Sequence, residues 1–287
     1  MPHSVEELVG LLDLERIDDN LFRGTQPDTS RQRVFGGQVA AQSLVAASRT
    51  VDAEHHVHSL HSYFLRPGDP AVPIVYDVDD LRDGRSFTTR RVAARQHGQE
   101  IYFQTVSYQI DEDGLDHQDA MPDVTPPQEC PQLSDLFRDH APEAAEEWDK
   151  EWAALDIRWA GDSSESGGLA PDQHPARNRL WVRINGELPD DPTLHDAVFT
   201  YASDLTLLAV SLVPHRIMIG SPKLMPASLD HAMWFHRRFR ADRWWLYDQV
   251  SPSASGARGF AVARVFTESG VLGASVAQEG LIRVRTR

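Results

Sequence analysis

Apolar and polar positions divide the chain into two similar runs, each a buried helix followed by a meander of strands. In the first run, Val5 to Leu14 reads as a short helix and Ile17 to Gly24 as a strand-like piece. Val34 to Ser48 becomes Ala-rich after Gly36-Gly37, with few charges and apolar residues at helical spacing. That pattern predicts a buried helix over about 35–48. Strand-like runs follow at 57–66, 73–81, 86–97 and 100–110, and the last two alternate around the turn signal His97-Gly98. The second run repeats this order, with a strand at Arg179–Ile184, a mostly apolar helix over about 193–209, and strand-like runs at 226–236, 243–250, 257–267 and 271–286. Tyr63-Phe64-Leu65-Arg66 parallels Trp234-Phe235-His236-Arg237, and Arg90-Arg91-Val92 parallels Ala263-Arg264-Val265, about 172 positions apart. The shared order points to an internal duplication of an α+β unit.

Residues 111–155 interrupt the pattern with acids, a Pro cluster at 122–131 and an amphipathic helix expected from Leu133 to Ala154; Ser163 to Pro175 reads as a polar loop. These segments read as linkers or surface decoration. The expected organisation is a first domain over 10–112, a linker with a helix over 113–154, and a second domain over 155–287.

Composition narrows the function. Among 287 residues, 28 Lys and Arg against 43 Asp and Glu give a formal charge of −15, which argues against a nucleic-acid partner. The single Cys130 excludes an intrachain disulfide framework and any Cys-rich metal site. No run of about 18 apolar residues suggests a membrane span, and the N-terminus lacks the basic start and apolar core of a signal peptide, so a cytoplasmic location is expected. Only Lys150 and Lys223 are Lys; all other basic side chains are Arg, which grips phosphate bidentately.

Six motifs, in order, carry a resemblance. They are Phe35-Gly-Gly-Gln-Val-Ala-Ala-Gln, His58-Ser-Leu-His-Ser-Tyr-Phe-Leu-Arg-Pro-Gly68, Arg85-Ser-Phe87, Tyr201-Ala-Ser-Asp-Leu205, Ser228-Leu-Asp-His-Ala-Met-Trp-Phe-His236 and Ala277-Gln-Glu-Gly280. With these motifs the sequence resembles the type II acyl-CoA thioesterases over nearly its whole length, most weakly over 111–175. The resemblance implies an α+β double hotdog fold, two tandem domains each wrapping an antiparallel sheet around a central helix. It also implies hydrolysis of acyl-CoA by a water held by Asp204, Ser228 and Gln278, with Thr common in the family where this chain has Ser228. It implies no cofactor. Self-association into a homo-oligomer is a further expectation.

The residues add their own arguments. Asp204 lies in an otherwise apolar stretch, where a carboxylate must be paired, hydrogen-bonded or neutralised. At the repeat spacing the first half offers Val106 against Gln278, and its helix offers Gln42 or Ser43 against Asp204, so one active site per chain is expected. Gly36 and Gly37 could turn backbone N–H groups toward a developing oxyanion. A coenzyme A thioester carries several phosphate charges, and the candidates to meet them are Arg66, Arg85, Arg90, Arg237, Arg238 and Arg258.

Other signals compete. His56 and His58 share a strand face, yet no acid lies nearby to complete a metal site. Gly273-Ala-Ser275-Val-Ala277 lacks the second Gly of a serine-hydrolase elbow. The stretch Asp190 to Asp196 is similar to the signature of hotdog enoyl-CoA hydratases without its Asn, and Asp191-Pro192-Thr193 also serves as a helix start. An enoyl-CoA hydratase and a non-catalytic acyl-CoA-binding protein are the alternatives.

Overall fold

A single antiparallel sheet organises the chain. The computed structural model describes residues 1–170 and 174–285. Its strands in chain order are β1 (Glu15–Asp18), β2 (Leu21–Gly24), β3 (His56–Phe64), β4 (Ile74–Asp83), β5 (Phe87–Gln96), β6 (Gln99–Gln109), β7 (Leu155–Asp162), β8 (Arg177–Ile184), β9 (Leu224–Ser228), β10 (Asp230–Phe235), β11 (Trp245–Ser255), β12 (Arg258–Thr267) and β13 (Leu272–Val284). Across the sheet they run β1-β2-β4-β5-β6-β3-β10-β13-β12-β11-β8-β7, with β9 paired to β13.

The two halves meet at β3 and β10, where His61 lies opposite Ala232, Ser59 opposite Trp234 and Tyr63 opposite Asp230. Tyr63 and Trp234 are 171 positions apart, as are Ser59 and Asp230, so the seam register is its own image under that shift. This is the geometry of a two-fold dimer written into one chain. The fold is a double hotdog of class α+β.

Two central helices pack side by side against the sheet. Helix α1 (Val5–Leu12) opens the chain, with Ser4 capping it by accepting from the Glu7 amide. Helix α2 (Gly36–Ser48) is buried from Gly37 to Ala47, and its small residues let the second central helix pack close beside it. That partner spans Pro192–Ser203, with Asp191 capping its N-terminus and Pro192 in its first turn.

The structure differs from the sequence reading in five places. The single piece expected over Ile17 to Gly24 is the hairpin of β1 and β2. The expected helix over 193–209 ends at Ser203 and tightens into a 3₁₀ segment, Leu207–His215. A continuing helix would offer the Ser203 carbonyl to residue 207; here it accepts the Tyr247 hydroxyl at 3.0 Å. The expected helix over 133–154 is split into α3 (Asp135–Arg138) and α4 (Pro142–Glu151), because Pro142 lacks the N–H that would continue the first; the Pro192–Ser203 helix is therefore α5. The run 226–236 is broken at Leu229, so that β9 and β10 pair with different parts of β13. Strand β7, on the sheet edge, has no counterpart in the sequence reading. The end of the 271–286 run, and 171–173 of the expected loop, lie outside the described residues.

The linker does more than decorate. Residues 111–130 lie against the outer face of the second half, where Met121, Val124 and Cys130 join a cluster with Trp181, Trp244, Leu246 and Phe266. Trp181 Nε1 donates to the Thr125 carbonyl at 2.8 Å. Behind α4, Trp152 packs edge-on against Phe35, 5.0 Å between ring centroids, beside the start of α2. The stretch Pro192–His215 is long and apolar enough to cross a membrane by length and composition, but 78% of its most apolar window is buried inside the fold. It is core.

Candidate active site

Three side chains from three elements converge at the seam. Asp204 caps the C-terminus of α5, Ser228 ends β9 at the kink before β10, and Gln278 lies fully buried in β13. The kink is held by the Leu229 amide on the Glu279 carbonyl (2.9 Å) and by the Glu279 amide on the Asp230 carboxylate (2.6 Å). It leaves Ser228 beside Gly280 with its hydroxyl turned to Asp204.

Both neutral donors serve one oxygen. Gln278 Nε2 donates to Asp204 Oδ1 at 2.5 Å and Ser228 Oγ donates to the same atom at 3.1 Å. The other oxygen, Oδ2, faces the N-terminus of α2, where a Cβ on Gly36 would stand 2.6 Å from it and 2.8 Å from the Phe64 ring. Gly36 is there because nothing larger fits. Burial pushes the Asp204 carboxyl up to about 6, against the pull of Gln278, Ser228 and, least, the Gly37 backbone N–H. Two buried phenols, Tyr102 and Tyr247, lie close enough to feel this carboxylate, which adds to what burial does in raising both. The Oε1 atom of Gln278 is buried without a hydrogen-bond partner among the described residues.

The glycine pair divides. The Gly37 amide is directed at Asp204, so it is not a free oxyanion donor, while Gly36 borders the space in front of Oδ2. Sequence reasoning missed Phe64, Tyr102 and Tyr247 as neighbours of the carboxylate. Their signal is present only as buried aromatics in strands, which looks the same as ordinary core.

The arginines scatter. Arg90 is a correction: it is 4% exposed, paired to Asp80 (2.9 Å) and Asp83 (2.7 Å) and bonded to Thr50, so it is structural and cannot meet a phosphate. Arg66 is exposed and donates to the Glu100 carbonyl, and Arg85 is exposed with no ion pair among the described residues. Arg237 and Arg238 hold the linker through Asp116 and Asp111. Arg258 pairs with Glu279 at 2.8 Å, on the same strand as Gln278.

Competing motifs find structural uses. Asp191 accepts the Thr193 amide at 2.9 Å as a helix cap. His58 bonds Ser107 at 2.8 Å, and no group of three His, Cys, Asp or Glu among the described residues could hold a metal.

Comparison with known proteins agrees in both halves. Residues 25–109 match a family model described as the acyl-CoA thioesterase N-terminal domain, and residues 162–281 match one described as acyl-CoA thioesterase. Acyl-CoA thioesterase 2 of Haemophilus influenzae is 37% identical over 286 residues, covering 99% of each chain. Human acyl-coenzyme A thioesterase 8 is 39% identical over 288 residues, 96% of this chain and 88% of that one. A crystal structure of an acyl-CoA thioesterase II from Mycobacterium marinum superposes with a TM-score of 0.82 at 44% identity, over 96% of this chain and 98% of that one.

Proposed function

The chain belongs to the acyl-CoA thioesterase family, and on that premise we propose that Asp204, Ser228 and Gln278 carry its reaction. That reaction is hydrolysis of an acyl-CoA thioester to a free acid and coenzyme A. One observation carries the assignment: two neutral side-chain donors hold one oxygen of an enclosed carboxylate, and among the described residues no side chain holds the other. Water docks on Oδ2 and hands a proton to it while its oxygen attacks the thioester carbonyl carbon. The Oε1 atom of Gln278, otherwise unpartnered, accepts from the same water. The Gly36 amide and the positive end of α2 face the oxyanion. When the carbon–sulfur bond breaks, the proton on Asp204 passes to the departing thiolate.

This arrangement needs Asp204 ionised, and a carboxyl near 6 is a base at neutral pH yet strong enough an acid to return the proton. An enoyl-CoA hydratase would need the 190–196 stretch as chemistry, and here it starts a helix. Arg258, paired to Glu279 on β13, and Arg85, exposed and without an ion pair among the described residues, are candidates for the phosphates of coenzyme A. A cytoplasmic, reducing setting fits the lone free Cys130, and self-association fits the exposed aromatics Tyr63 and Trp234 on the seam strands.

The test is Asp204→Asn, assayed by thiol release from acyl-CoA. A positioned base is worth about 10²–10⁴-fold in rate, so kcat drops by that factor while the fold persists. Near-native turnover would remove Asp204 from the mechanism.

A further inference from the structure

A histidine lies one residue contact away from the trio, and the mechanism above does not use it. His231, in β10, is fully buried. Its Nε2 lies 2.8 Å from the hydroxyl of Ser203, the residue before Asp204. That hydroxyl has one proton, and it also sits 2.9 Å from the Thr200 carbonyl, to which only it can donate. With the hydroxyl proton on Thr200, Nε2 must carry a proton and donate to Ser203 Oγ. The Nδ1 atom is then a buried acceptor with no partner among the described residues. Burial holds the ring neutral, with its pKa pushed down to about 4.

An orphaned buried acceptor costs stability, so the imidazole needs a reason to be there. The repeat makes the point sharper. The seam shift of 171 positions sets Leu60 against His231, and both are 0% exposed. The same shift sets Tyr76 against Tyr247, and each reaches a central helix, Tyr76 at the Gln42 side chain (2.6 Å) and Tyr247 at the Ser203 carbonyl (3.0 Å). The fold therefore accepts leucine at this position in one half and uses histidine only in the half that holds the trio.

Resting on the proposed roles of the trio, we propose that His231 is a positioning residue that locks the end of α5 to the strand following Ser228. Ser203 is gripped three ways, by Thr200 within its own helix, by His231 from β10 and by Tyr247 from β11. The grip fixes where Asp204 leaves the helix. Because His231 stands three residues after Ser228, it fixes that exit relative to the kink carrying Ser228. The Ser62 hydroxyl anchors the strand in turn by donating to the His231 carbonyl at 2.8 Å. The long 3.1 Å bond from Ser228 to Asp204 is the contact that loosening this lock would lose first.

The experiment compares His231→Leu, His231→Gln, Ser203→Ala and Asp204→Asn in the full chain, measuring kcat and KM for an acyl-CoA from pH 5 to 9, and Tm. His231→Leu should keep a Tm at or above the parent's, as Leu60 does in the other half. Its KM should stay within about twofold, while kcat falls on the order of tenfold, the worth of one positioning hydrogen bond. Its low-pH limb should also shift upward, because a carboxylate that loses a donor is harder to ionise. The groups that face Asp204 there are Gln278, Ser228, the Gly37 amide and the phenols Tyr102 and Tyr247, so no other charge supplies this shift. His231→Gln, whose amide nitrogen can take the place of Nε2, should recover part of kcat, and Ser203→Ala should match His231→Leu. Parental kcat and pH limb in His231→Leu would overturn the proposal, as would a Gln variant no better than the Leu variant. If leucine fails to fold, the Gln and Ser203→Ala results decide alone. Activity retained by Asp204→Asn would indict the trio itself; an inactive Asp204→Asn beside an unaffected His231→Leu would indict only the lock.

Discussion

Two aspartates, Asp196 within α5 and Asp204 at its C-cap, are held in opposite ways. Each is enclosed by protein with part of its surface left to solvent, and burial raises both from 3.8. Asp204 stops at about 6 because Gln278, Ser228 and the Gly37 amide hold its anion. Asp196 goes to about 8, helped down only by the distant charge of Arg238 and pushed up by Asp191. No hydrogen bond or ion pair reaches its carboxylate among the described residues. The difference teaches that burial alone makes a neutral acid, and that donors turn a buried acid into a usable base.

The same contrast divides the two halves. Ser228 pairs with Gly280 and Val57 with Tyr108, while Ala232 pairs with Ala277 and His61 with Thr105. Those registers set Val57 against Ser228 and Val106 against Gln278. In the first half the donors are replaced by buried valines. Its central helix offers Gln42 and Ser43, both 0% exposed, and no carboxylate. One skeleton thus carries a carboxylate with two side-chain donors in one half and neither the carboxylate nor those donors in the other.

The comparison breaks most sharply at Gly36. Adding a Cβ there drives a methyl group into Asp204 Oδ2 and the Phe64 ring. The aspartate must turn away, and misplacement of a reacting group by about 1 Å costs roughly 10²-fold. Gly36→Ala should therefore lower kcat about a hundredfold with the helical signal in circular dichroism retained. Turnover within a few-fold of the parent would mean that Oδ2 is not where the water sits.

A smaller effect should come from Gln278→Leu, which makes the second half resemble the first. The enzyme needs the Asp204 anion, so activity is lost as pH falls through the carboxyl's midpoint near 6. Removing the strongest donor raises that midpoint toward the value Asp196 shows. The acid limb of kcat/KM should move upward, and activity at pH 7 should fall about tenfold or more with partial recovery at pH 8.5. An unmoved limb would mean that the titrating group is not Asp204.

Much of this was legible beforehand, and the gaps have physical causes. Central helix α2 was readable because its Ala-rich run has no competing pattern, and the strands because period-two alternation survives where one face is buried. The end of α5 was not, since Tyr247, forty-odd residues later, takes the Ser203 carbonyl that a local reading gives to the helix. The break at Leu229 was also hidden, because both sides of it read as strand. Asp204, Ser228 and Gln278 could be named from motifs, but their convergence on a single carboxylate oxygen is a matter of three-dimensional register. Arg90 failed as a phosphate contact for the converse reason: Asp80 and Asp83 on the neighbouring strand had already claimed it. Nothing local to Arg90-Arg91 announces that partnership.

The gentlest test leaves the trio alone and changes Asp196. In the folded chain this carboxyl keeps its proton up to about pH 8, whereas an unfolded aspartate releases it near 3.8. The unfolded state is therefore favoured increasingly as pH rises from about 4, and the loss is complete only above about 8. Asparagine keeps the shape and cannot ionise. Asp196→Asn should match the parent's stability near pH 4 and exceed it at pH 8.5 by about 1–2 kcal/mol, well under the full shift because solvent reaches part of the group. Urea midpoints at the two pH values measure this directly. Turnover of acyl-CoA should stay within about twofold, because Asp196 has no partner in the trio. A stability gain equal at both pH values would mean that packing, not ionisation, separates the variants, and that Asp196 is not held as a neutral acid.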